Sequence, residues 1–418
     1  MRRGFLAAAA VLAAGTAAAL LLWDRGDGGP RPAAGPDGTS TAIVLPPGPA
    51  LPESASGPAL AEVAGTEGAL LPVAAPDARS LDAAGLEAIA EVARRSGTDA
   101  LLIWHDGALQ LEQYGPNVRP FDRLPGRGLE GAVLAMLAGR AVADGLLPSL
   151  DEPLSRWLPE WASDPRGRIT LRQLALGTSG LGPAPTDPAD DLPARLLAAP
   201  LQVVPGSRFA PAAVETDLLG LVLARAGGRP LPDHLSDRLW RPLGARTAEM
   251  RLDRAGGAAQ ASSLQAAPRD WLRLGLLILE DGAVGGASLV PADWLAEMQR
   301  PTPYARNDGY RVRLGWPHDR NGPLRAAEPF IEPDMVFLAG EGGQRLYVSR
   351  AAGLVVLRLG QPVATWDESA LPNLIARAVV AVPGRKSSAR PGAGQELPPI
   401  TKPPPVPAVE AVPLEPQP

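Results

Sequence analysis

The sequence predicts an α+β fold, in which one antiparallel sheet is flanked by helices and an all-helical subdomain is inserted into it. Three observations carry this expectation. A helical pattern at 81–95 precedes two strand-like runs, 100–104 and 109–114, joined by the turn signal His105-Asp106-Gly107-Ala108. Helical patterns then dominate to about residue 300. Strand-like runs return at 335–338, 345–348 and 354–359, before a closing helix at 367–380.

Each element has its own signal. The first helix carries Leu86, Ile89, Ala90 and Ala93 at helical spacing. A long helix over 129–145 places Val133, Leu134, Leu137 and Ala141 on one face and stops at Asp144-Gly145, so it is expected to be central and buried. Ahead of the domain, Met1-Arg2-Arg3 leads into an apolar run from Phe5 to Trp23 that Asp24 and Arg25 close. Such a run nearly spans a bilayer core of ~30 Å, and the arginines set its N-terminus inside. Residues 1–23 are therefore expected to be a membrane anchor or a signal. The first reading leaves the domain tethered to the inner membrane on the periplasmic or extracytoplasmic side, and the second releases it as a secreted protein. Residues 24–75 are rich in Pro, Gly and Ala and read as a linker, 76–382 as the folded domain, and 383–418 as a Pro-rich disordered tail ending beyond Pro403-Pro404-Pro405.

Composition excludes several functions. The chain has 418 residues and a net charge of -5, without the basic face of a nucleic-acid binder. It has no cysteine, which removes disulfides, thiol catalysis and Cys-based metal sites and suits an oxidising compartment. The histidines, His105, His234 and His318, stand far apart in no ligand pattern; no metal or cofactor is expected, and all three read as surface or cap residues. Of 40 basic residues only Lys386 and Lys402 are lysine, so the first 385 residues contain no amine base.

Several strings, in order, resemble the serine β-lactamase and penicillin-binding-protein superfamily, and within it the class C-like esterases, DD-peptidases and 6-aminohexanoate-oligomer hydrolases. They include Ala143-Asp144-Gly145-Leu146-Leu147, Leu150-Asp151-Glu152-Pro153-Leu154, Thr178-Ser179-Gly180-Leu181, Pro205-Gly206-Ser207-Arg208-Phe209, Leu218-Leu219-Gly220, Pro242-Leu243-Gly244 and Gly342-Gly343-Gln344. No single string is specific; their shared order over residues 80–380 is. The resemblance implies a β-lactamase/transpeptidase-like fold. It also implies a Ser-x-x-Lys nucleophile at the start of the helix that ends in Ala-Asp-Gly, where the amine takes the hydroxyl proton one turn away.

At the implied positions those side chains are gone. Counting back from Asp144 puts the Ser position at Gly128 and the Lys position at Gly131, and no Ser or Thr lies between Thr98 and Ser149. The implied Tyr-x-Asn falls on Pro211 and Ala213. The third motif falls on Gly340-Glu341-Gly342-Gly343-Gln344, with Glu341 at the position that varies between Lys and His in many members. The expected catalytic set is therefore empty, its vestigial positions being Gly128, Gly131, Pro211 and Ala213. A ligand pocket is expected around Arg127, Glu130, Glu341, Gly342, Gly343 and Gln344. Glu130 has a second reading as a helix N-terminal acid that stabilises the dipole. Ser179 and Ser207 read as turn residues, and Trp157, Trp161, Trp240 and Trp271 as core packing.

Three functions follow as expectations. The chain is a catalytically inactive envelope relative of these hydrolases that binds an unknown small ligand or an envelope protein. Alternatively it is a hydrolase of the family with altered or residual activity, or a structural envelope component.

Overall fold

The computed structural model describes residues 59–66, 70–186, 190–208, 212–255, 257–299, 312–314, 326–340, 343–361, 363 and 366–380. The apolar run 1–23, most of the linker, the Pro-rich tail, His318, Pro211, Glu341 and Gly342 lie outside them. Among the described residues no helix is long and apolar enough to cross a membrane, and no group of His, Cys, Asp and Glu is placed to hold a metal ion.

Helix α1 (Ala83–Arg95) starts at Asp82, whose side chain accepts the Gly85 N–H at 2.7 Å. Strands β1 (Thr98–His105) and β2 (Ala108–Tyr114) form the expected hairpin. Its two loop residues, Asp106 and Gly107, have φ of 53° and 85°, the double left-handed turn that matches strand twist. Helix α2 (Glu130–Ala143) follows, then a helical region that contains α3 (Ala213–Gly227) and α4 (Pro268–Leu279) and ends in a short helix, Ala292–Met298. Strands β3 (Val312–Leu314), β4 (Val336–Ala339), β5 (Arg345–Ser349) and β6 (Leu354–Gly360) return to the sheet, and α5 (Ala370–Ala378) closes the domain.

The six strands pair antiparallel in the order β2-β1-β6-β5-β4-β3, with Leu102 opposite Leu357 and Ile103 opposite Val356. Both faces are covered, and the strands alternate accordingly. Leu101, Ile103, Val356 and Tyr347 point to α1 and α5, joining Ile89, Leu371 and Ile375. Ala100, Leu102, Val355 and Leu357 point to the opposite layer, which contains α4 and α2.

Helix α2 is the central element expected over 129–145. Residues Glu130–Gly139 and Ala141 are all buried, so its apolar character runs all round. Its small residues admit close neighbours: a Cβ on Gly139 would lie 2.1 Å from Trp294, whose Nε1 donates to Ala135 O at 2.9 Å.

A second, smaller sheet corrects the expected domain start. Leu60–Val63, within the stretch read as linker, pairs with Ala248–Arg251, and this pair continues through Gln265–Ala266 to Leu124–Pro125. Val63 is fully buried and Leu71 and Ala74 nearly so, because a hydrophobic residue with a partner strand stays folded whatever the composition around it.

Candidate functional site

The chain enters α2 through Leu124–Pro125, whose pairing with Gln265–Ala266 is reinforced by Trp271 Nε1 donating to Leu124 O at 3.0 Å. The next residues turn sharply. Arg127 has φ 46° and Gly128 φ 114°, so both lie in the left-handed half of backbone space. Glycine adopts this freely, whereas Arg127 is held there against its Cβ. Arg127 and Gly128 are exposed, while Gly126, Leu129, Glu130 and Gly131 are buried.

Glu130 therefore does not line an open pocket as expected. Its side chain turns inward, 1% exposed. Oε2 accepts the Gly128 N–H at 2.5 Å, and Oε1 is buried without a hydrogen-bond partner beside Gly126, where a Cβ would lie 2.9 Å from it. Burial pushes the carboxyl pKa up to about 7, against the lowering effect of backbone N–H groups at 127, 128 and 130; the nearby Asp217 raises it further. This carries the helix-start reading of Glu130 further than a dipole effect does. The carboxylate occupies an amide donor at the helix start that would otherwise face a ligand.

Asp217, on α3, is the member that the sequence reading missed. It is 5% exposed, with Oδ1 accepting Ser262 N at 2.7 Å and Oδ2 accepting Ser262 Oγ at 3.0 Å. Burial raises its pKa to about 6. An acid inside the apolar run Asp217-Leu218-Leu219-Gly220 was the available signal. At the start of α3, Ala213 presents only a methyl group to solvent, while Glu215 accepts the Ala212 N–H at 3.0 Å.

The segment read as the third motif approaches the segment read as the first. After β4, a Cβ on Gly340 would lie 2.7 Å from Arg127 O and 2.8 Å from Gly126 O, so the two backbones meet where only glycine fits. The loop is held from behind. Arg345 Nη1 donates to Gly340 O at 3.0 Å and to Gln344 O at 2.8 Å, while Glu368 binds the same guanidinium. Arg358 Nη1 donates to Gly343 O at 2.5 Å and Nη2 to Ser96 O at 2.6 Å, with Trp366 stacked 4.6 Å away. Burial brings the Arg358 pKa down to about 10. Gln344, expected in the pocket, is instead buried at 3% exposure, and Gly343 faces Arg358 with φ 92°.

Two histidine expectations are also corrected. His105 is buried, with Nδ1 2.6 Å from Ser80 Oγ, because the hairpin turn is tucked against the segment before α1. His234 is 2% exposed and packs over Gly227, with neither ring nitrogen hydrogen-bonded, and burial holds its pKa down. Ser179 and Ser207 are the turn residues expected: Ser179 Oγ donates to Glu215 at 2.6 Å and Ser207 Oγ to Val204 O at 2.6 Å. Trp161, Trp240 and Trp271 are fully buried, as expected of core, whereas Trp157 is only partly buried against it.

The Beta-lactamase family model matches residues 87–378. The chain belongs to the Beta-lactamase family. Esterase EstB from Burkholderia gladioli is 31% identical to it, the match covering 41% of this chain and 53% of the esterase, about half of that relative's length. Among solved structures, a Bacillus anthracis protein assigned as a 6-aminohexanoate-dimer hydrolase aligns with TM-score 0.60 at 19% identity, over 74% of this chain and 87% of its own. A class C β-lactamase from Rhodobacter sphaeroides aligns with TM-score 0.52 at 19% identity, over 71% and 97%. At such identities these structures show the fold, a β-lactamase/transpeptidase-like α+β arrangement, and the family is that of serine hydrolases. Fold alone does not supply chemistry. At the start of α2 the described residues offer two buried acids, Glu130 and Asp217, the second held by the backbone N–H and hydroxyl of Ser262.

Proposed function

We propose that this chain is a member of the family that has left the acyl-enzyme route and works by binding. One observation supports this above the others. Gly128, at the implied nucleophile position, has a backbone conformation that disfavours a serine, and its N–H is already taken by Glu130. A bound ligand would meet the backbone-lined junction of Gly340 with Arg127, and the exposed Arg127 side chain beside it. With its N-terminal run as an anchor, the protein would present this domain on the extracytoplasmic side to a small ligand or an envelope protein.

A second reading, an altered esterase or amidase, draws support from the relative named as an esterase. One experiment separates the two. The purified full chain is incubated with nitrocefin, a p-nitrophenyl ester and a fluorescent penicillin. The binding reading expects neither turnover nor a labelled band; sustained turnover of either substrate would replace it with the hydrolase.

A further inference from the structure

A cleft of about 700 Å³ opens at the edge of the small sheet, between Gly65 and Thr66, the segment 121–123, and residues 246–249. Two of its charged side chains form no direct ion pair among the described residues, although the Arg246 charge acts on the buried Asp270 carboxyl. The Arg246 guanidinium lies over the Phe121 ring, 4.7 Å from its centroid, and only its backbone is hydrogen-bonded, to Asp270 Oδ1 at 3.2 Å and from Trp240 Nε1 at 2.6 Å. Asp122 accepts the Arg119 backbone N–H through Oδ2 at 2.7 Å and meets no cation. Arg123 and Glu249, in the same cleft, neutralise each other at 2.6 Å.

The unpaired charges are thus one cation and one anion that share a cleft without reaching each other. The Arg246 guanidinium rests over the Phe121 ring, and its donors, which make no hydrogen bond among the described residues, can serve a carboxylate. Asp122 keeps Oδ1 for a donor. Phe121, 59% exposed, adds apolar surface between walls that are otherwise polar. An anion alone would be repelled by Asp122, and a cation alone by Arg246.

We infer that this cleft binds a zwitterion of the amino-acid class, with its carboxylate on Arg246, its ammonium on Asp122 and its side chain against Phe121. This site shares no residue with the start of α2, so it stands or falls apart from the function proposed there.

Isothermal titration of the full chain with leucine, in either enantiomer, tests it against two singly charged derivatives. N-acetyl-leucine keeps the carboxylate, and leucinamide keeps the ammonium. Leucine is expected to bind, with each derivative weaker by roughly tenfold or more. Arg246→Gln is expected to bring leucine down to the level of leucinamide. Asp122→Asn, which preserves the acceptor for Arg119 N–H, is expected to bring it to that of N-acetyl-leucine. Absence of leucine binding, equal binding of all three probes, or affinity unchanged in both variants would overturn the inference. Should a variant fail to fold, the three probes on the unmodified chain decide.

Discussion

At the start of α2 a buried carboxylate has no cation beside it among the described residues, whereas across the contact at Gly340 the buried Arg358 and the partly buried Arg345 clamp backbone carbonyls. Glu130 and Asp217 are both pushed toward the neutral form by burial. Arg345 and Arg358 are satisfied by carbonyls, with Glu368 added for Arg345. The first region holds a buried acid that costs stability once it ionises. The second is backbone held by charged donors. The difference teaches that the loop facing the start of α2 is braced from behind by arginines while the helix start itself is closed by an acid, a frame of the kind that the proposed binding function would use.

The comparison can be broken most forcefully on the arginine side. Arg358→Ala would remove the stack on Trp366 and leave the carbonyls of Gly343, Ser96 and Gln361 without their donor, a loss of about 3–5 kcal/mol, read by urea denaturation. A change below about 1 kcal/mol would mean that the loop is not held from behind.

On the acid side the effect has the opposite sign and depends on pH. The folded pKa of Glu130, about 7, lies above its ordinary 4.5, so the folded state favours the proton. Its contribution is fully present below the unfolded pKa and is lost as pH rises through about 7, which at alkaline pH amounts to on the order of 3 kcal/mol. Glu130→Gln is expected to stabilise the domain by about that amount near pH 8 and to leave it unchanged near pH 4. Equal stabilisation at both would place the effect in packing instead. Asp217→Asn is a finer probe: it should shift the Glu130 titration slightly downward in the pH dependence of stability, since the Asp217 charge raises the Glu130 pKa less than burial does.

The smallest effect is expected where repair looks most natural. Gly128→Ser with Gly131→Lys restores the first motif on paper, yet the new serine would sit at φ 114° with its N–H held by Glu130, and Ala213 still offers no polar group. No multiple turnover of nitrocefin is expected from this variant. Turnover would show that the helix start relaxes and that the second motif is dispensable.

How far the sequence could be read depends on the range of each interaction. The Asp106-Gly107 turn and the periodicity of Val133, Leu134 and Leu137 are local signals, and the hairpin and central helix followed from them. The small sheet did not, because Leu60–Val63 is only four residues long in Ala-rich sequence and finds its partner nearly two hundred residues away. Vestigial positions could be placed by family resemblance, but the inward turn of Glu130 depends on φ at Arg127 and Gly128, which residue identity does not encode. Ser80 and His105 are similarly joined by tertiary packing across the hairpin.

The central claim is that the start of α2 no longer carries a reactive nucleophile. Intact-mass measurement of the full chain after exposure to a fluorophosphonate tests it most directly. The account predicts a single unmodified mass; a stoichiometric adduct mapping to the domain would contradict it.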